Sequence, residues 1–84
     1  APDEAAIVDS MGWVQYRLGR LDAAVEHLQR AYTLSGEDPE VAAHLGEVLW
    51  VQGRHAEARR VWDKARREHP DNLPLQRILE RHGL

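Results

Sequence analysis

The chain has 84 residues, 43% of them hydrophobic and 30% charged, the balance of one small globular domain with a modest core. A net charge of −3 excludes a general attraction to nucleic acid or anionic membranes, and the absence of cysteine excludes disulfides and thiolate metal sites. No apolar run approaches the roughly 20 residues needed to span a bilayer.

The opening Ala1-Pro2-Asp3, without a methionine, is what a processed product or a piece of a longer chain would show. Ile7, Val8, Met11, Val14 and Leu18 then follow the spacing of an amphipathic helix, which Gly19 ends. A second helix carries Leu21, Ala24, Val25, Leu28, Ala31, Tyr32 and Leu34 and stops at Gly36. Asp38-Pro39-Glu40 is a strong restart, with an N-cap acid, a proline at the first helical position and an acid in the first turn. Gly53 separates the third helix from the fourth, and Pro70 ends the fourth. Asn72-Leu73-Pro74 starts a closing helix with Leu75, Ile78 and Leu79 facing inward. β-Branched residues nowhere alternate, so the expected fold is all-α with about five antiparallel helices.

The sequence repeats itself at an offset of 34 residues. Gly12 falls on Gly46, Val14 on Val48, Gly19 on Gly53, Arg20 on Arg54, Ala24 on Ala58 and Ala31 on Ala65. Most of these identities are glycine or alanine, the residues required where two helix backbones approach closely.

A 34-residue helix–turn–helix unit with these residues resembles the tetratricopeptide repeat (TPR) family. The second unit carries the pattern through Leu45-Gly46, Leu49, Gly53, Ala58, Trp62, Ala65 and Pro70. The first carries Val8, Met11-Gly12, Gly19, Ala24, Leu28 and Ala31, but has Gln15 for the family's tyrosine and Gly36 for its proline. The resemblance implies a helical-hairpin solenoid with repeat 1 over about 5–38, repeat 2 over about 39–72 and a capping helix over about 73–82.

The two ends of this array read differently. Leu21, Val25, Tyr32 and Leu34 would pack between units, and their equivalents in the second unit are His55, Arg59, Arg66 and Glu68. That change is expected where no complete unit follows. Nothing polar replaces Ile7 and Val8, so further repeats are expected upstream. A bare N-terminal face would be hidden by a homodimer or a swapped helix.

The resemblance further implies a concave groove lined by the first helix of each unit. Its residues here are Asp9, Ser10, Trp13, Tyr16 and Arg17, then Glu40, Ala43, His44, Glu47, Trp50 and Val51, with Arg77 and Arg81 from the closing helix. Aromatic and arginine side chains are the types enriched at binding hot spots. Trp13, Tyr16 and Trp50 have two readings, partner contact or packing against neighbouring helices, whereas Trp62 falls on a position the fold buries. Some relatives grip a chaperone's terminal carboxylate at positions held here by Asp9, Trp13, His44, Pro74 and Ile78, so that clamp is absent. Arg77 and Arg81, four residues apart, share a face that suits acidic groups of a ligand or a solvated end of the array. The basic run Arg54, Arg59, Arg60, Lys64, Arg66 and Arg67 is interleaved with Glu57, Asp63 and Glu68, the pattern of a salt-bridged solvated helix rather than a nucleic-acid surface.

Catalytic signatures are missing: His27, His44, His55, His69 and His82 have no metal spacing, no His–carboxylate set points to one site, and Ser10 and Ser35 lack a nucleophile context. The reading is therefore a non-catalytic scaffold that binds a protein or peptide, with no cofactor, no metal, no nucleic acid and no direct membrane contact. The alternative is a structural segment that caps a longer array whose recognition surface lies upstream. The stretches Asp9–Trp13 and Ala43–Trp50 also look like the C-terminal repeats of long TPR lipoproteins of Gram-negative bacteria. Those are outer-membrane adaptors, one of them for a periplasmic carboxyl-terminal processing protease. This likeness implies a periplasmic parent; without it a cytoplasmic one fits equally well.

Overall fold

The computed structural model describes residues 2–84, with side chains from Glu4 onward. Five helices follow one another: α1 (Pro2–Arg17), α2 (Leu21–Leu34), α3 (Pro39–Val51), α4 (His55–Glu68) and α5 (Leu73–Arg81). The described residues form no strand, and the expected all-α helical-hairpin architecture holds. Helix boundaries follow local chemistry. Asp38 accepts from the Glu40 and Val41 N–H groups at 2.8 and 3.3 Å. Asn72 accepts from Leu75 N–H at 3.0 Å, which satisfies another N-terminal donor. The turns after α1 and α3 repeat each other, with Gly19 and Gly53 at φ of 77° and 85°. In each, the next residue's N–H bonds back into the helix, Arg20 to Gln15 O and Arg54 to Leu49 O, both at 2.9 Å.

α3 touches all four other helices. It buries Val41, Ala42, Ala43, Leu45, Gly46, Glu47, Val48 and Leu49, which explains why it reads as apolar nearly all round. α2 and α4 use the same register against their partners: Ala24, Leu28 and Ala31 in one, Ala58, Trp62 and Ala65 in the other. The small residues expected at close approaches are at them. A Cβ on Gly12 would lie 2.7 Å from Leu28 Cγ, and one on Gly46 only 2.1 Å from Trp62 Nε1. The Trp62 ring thus presses directly on the α3 backbone at Gly46, and its indole N–H donates to Ala43 O at 3.3 Å. Trp62 is fully buried, as expected. α5 closes this core with Leu75, Ile78 and Leu79, while Arg77, Glu80 and Arg81 stay exposed.

Two expectations need correction. Val8, expected on the open N-terminal face with Ile7, is instead buried against Ala31 and Val41. Leu34, expected between units, is exposed because it sits in the last turn of α2, beyond the reach of α3. The bare face of α1 is formed by Ile7, Met11, Val14 and Leu18, which are 48–60% exposed. Ile7, Met11 and Val14 line a shallow apolar hollow with Ala6, Ser10 and Gln15.

Candidate binding surface

The residues singled out from sequence fall into two clusters on either side of α3. The first lies at the seam between α1 and α3. His44 Nδ1 is 2.9 and 3.1 Å from the two oxygens of Asp9; a carboxylate only accepts, so the ring N–H donates. Trp13 packs on His44 with ring centroids 4.5 Å apart and on Tyr16 at 4.9 Å, within the range of favourable aromatic contacts. Both rings remain half-buried. Asp9, Ser10, Trp13, Val14, Arg17 and His44 line a depression of 370 Å³. Burial pushes the Tyr16 hydroxyl above the usual range for tyrosine; the Glu47 charge adds to this and Arg81 opposes it. Tyr16 therefore keeps its proton and stands as a neutral donor.

The second cluster lies at the seam between α3, α4 and α5. Glu47, expected to line the groove, is only 5% exposed. His82 donates from Nε2 to one carboxylate oxygen, and Arg81 Nη1 lies 3.5 Å from the other. A buried carboxylate demands such partners. The expectation that Glu47 meets a ligand is thereby corrected: the closing helix has taken up both oxygens. Trp50, half-buried like Trp13, packs in the same cluster. His55 stacks on it at 3.9 Å and 11°, Trp62 and His82 lie at 5.7 and 5.1 Å, and the Arg59 guanidinium sits 5.6 Å from its ring centre. Of its two readings, packing is the one this geometry supports.

The contacts of His82, His55 and Arg59 with Glu47 and Trp50 were not expected from the sequence, and two histidine–carboxylate pairs form that no sequence spacing had singled out. Asp9–His44 and Glu47–His82 are each separated by 35 residues. An acid on one first-layer helix paired with a histidine one repeat length and one residue later is the signal that would have found them. The basic face of α4 behaves as its charge pattern implies. Arg54 pairs with Glu57 at 2.6 Å, Arg66 with Asp63 at 2.8 Å, and Lys64 with Glu37 at 2.6 Å and Glu68 at 4.0 Å. The hydrogen bond from Arg54 holds the Glu57 carboxyl below its usual range, and that to Glu37 raises the Lys64 ammonium. These pairs are solvated and add little stability. Arg17 and Arg77 are exposed and make no ion pair among the described residues. No helix among those residues is long and apolar enough to cross a membrane.

Residues 15–81 match the tetratricopeptide repeat family profile. A TPR repeat-containing protein of Pseudomonas aeruginosa is 54% identical over 46 residues, covering 55% of this chain and 8% of that protein. A cellulose synthase operon protein C of Komagataeibacter xylinus is 35% identical over 69 residues, 82% of this chain and 5% of its own length. Its counterpart in Komagataeibacter sucrofermentans is 33% identical over the same share. The chain thus spans less than a tenth of the length of these bacterial relatives. With hairpin helices, glycine-mediated contacts and a profile match over most of its length, the chain belongs to the tetratricopeptide repeat family, a non-catalytic scaffold repeat that mediates protein–protein interaction.

Proposed function

We propose that this chain binds a protein or peptide segment along the concave side formed by α1, α3 and α5, with Trp13 as the principal anchor. One observation carries this reading: Trp13 is a large aromatic left half-open above a depression, held in place by His44 and Tyr16 rather than buried. Preorganised aromatic side chains bind at a low cost in lost side-chain freedom. Asp9, Tyr16, Arg17 and His44 complete the surface, and Arg77 and Arg81 border it. Glu47 and Trp50 act behind it as support. The test is capture of cell proteins on the immobilised chain, identification of a partner, and titration of that partner against Trp13→Ala. Retention of full affinity by this variant would dismiss the groove.

The packed Trp50 cluster favours a second, structural role for the C-terminal part, the capping of an array. On this reading residues 5–38 and 39–72 are two repeats of a longer solenoid and 73–82 its cap. The far greater length of the relatives supports it. The apolar stripe of α1 then receives a preceding helix pair; where none covers it, a second copy of the chain does. Sedimentation of the chain as a monomer at high concentration would contradict that last point. The parent is proposed to be an outer-membrane lipoprotein adaptor acting in the periplasm for a processing protease, a reading supported by the likeness of Asp9–Trp13 and Ala43–Trp50 to such proteins and by the bacterial relatives. Cell fractionation of the parent decides it: recovery in the cytosol would rule it out.

A further inference from the structure

The concave side carries opposite charges on the sequence, yet its internal pairing leaves it one-sided. Asp9 is engaged by His44, and Glu47 is buried beneath His82 and Arg81. Both carboxylates thus have protein donors, Glu47 inside the fold and Asp9, 20% exposed, at the wall of the depression. The arginines are not matched in the same way. Arg17 lines the depression with Trp13 and, like Arg77, has no ion pair among the described residues, and Arg81 is 63% exposed beyond its contact to Glu47. Arg81 reaches Glu47 of α3 at 3.5 Å, which sets its guanidinium at the seam between α3 and α5. Arg77 lies one helical turn before Arg81 and shares its stripe. Glu40, the remaining exposed acid of the lining, is in the first turn of α3, at the opposite edge.

We infer that the groove selects an acidic peptide segment, with an apolar or aromatic side chain seated on Trp13 and carboxylates meeting Arg17, Arg77 and Arg81. This rests on the proposal that the concave side binds peptides, and it names the ligand's chemistry. Arginine suits carboxylates because its planar fork presents paired donors. Trp13 and the neutral Tyr16 hydroxyl supply the apolar body and a donor beside it. Arg17 beside Trp13, with Arg77 and Arg81 on the closing helix across α3, makes a basic set that the net charge of −3 conceals. An unpaired charge on the wrong partner would be repelled, so the set also gives specificity.

The experiment is selection of a random displayed peptide library on the full chain, followed by fluorescence anisotropy with the peptides recovered. Enrichment of Asp and Glu around a Trp, Phe or Leu is expected. Arg77→Glu, which removes no ion pair or hydrogen bond among the described residues, should weaken an acidic peptide by about tenfold, and added salt should weaken it further. Arg81→Glu should weaken it as well, with its helical signal checked because Glu47 loses a partner. Peptides that are enriched without acidic bias, but lose binding in Trp13→Ala, would overturn the charge inference while leaving the groove intact. Peptides indifferent to Trp13→Ala would overturn both. Equal binding of a single-stranded oligothymidylate would show that the arginines take any polyanion and overturn the assignment to a peptide.

Discussion

The two seams that join α3 to its neighbours use the same chemistry and end in different states. Each has an acid bonded to a histidine 35 residues on, with a tryptophan against the histidine ring. At the α1–α3 seam the side chains stay partly open, His44 at 28% and Asp9 at 20%. At the α3–α5 seam His82 and Glu47 fall to 14% and 7%, because α4 and the closing helix cover them together. What decides the outcome is the third element. Trp50 has Trp62, His55, His82 and Arg59 around it, whereas Trp13 has Tyr16 and His44 and borders a depression. One seam is closed by packing, and the other stays open for the contact proposed above.

The largest effects should come from the closed side. Gly46→Ala drives a Cβ into the rigid Trp62 ring, with three ring atoms within 2.6 Å. Overpacking costs about 1–3 kcal/mol, and the better helix propensity of alanine offsets roughly 1 kcal/mol of it. Gly12→Ala meets the flexible Leu28 side chain at 2.7 Å and should cost less. Thermal melts of the two variants would test the order; a Gly12→Ala chain less stable than Gly46→Ala would break the comparison. His82→Ala comes next. It leaves the buried Glu47 with only the long Arg81 contact and should cost about 1–3 kcal/mol, while His44→Ala exposes Asp9 to water and should cost less than about 1 kcal/mol. Equal losses in urea titration would deny that the seams differ.

The smallest effect is on pH. Burial raises the hydroxyls of both Tyr16 and Tyr32, with nearby carboxylates adding to it. A group held protonated in the folded state stabilises fully below its unfolded value of 10.0, and that contribution fades as pH rises through the raised folded value. Tyrosinate absorbance should therefore appear at higher pH in the folded chain than in urea, and stability should begin to fall above about pH 10. Coincident titrations in the two conditions would contradict the burial.

Much of this was legible in the sequence, for identifiable reasons. Helix ends were marked by Gly19, Gly53, Asp38-Pro39 and Asn72, whose local chemistry acts without the rest of the fold. Gly12 and Gly46 declared the close helix contacts because no other side chain fits there. The groove positions of Asp9, Trp13, Tyr16 and His44 followed from family register, and the structure brings these four together. Burial of Glu47 and the packing of Trp50 did not follow, because the first depends on His82 and Arg81 at the end of α5 and the second also on which α4 side chains turn toward α3. A helix periodicity reports which face turns inward, not what a histidine 35 residues later will reach. Val8 was misread for a related cause: it lies at the border of two faces, and α2 rather than a preceding helix covers it.

The division between the seams is tested most directly by one paired measurement, the melting temperature and partner affinity of Trp13→Ala and Trp50→Ala prepared side by side. The account predicts that Trp13→Ala melts nearly as the parent does and loses about 2 kcal/mol of binding, while Trp50→Ala melts markedly lower and, where still folded, binds nearly as well. The reverse pattern, a destabilised Trp13 variant and a stable Trp50 variant that no longer binds, would contradict it.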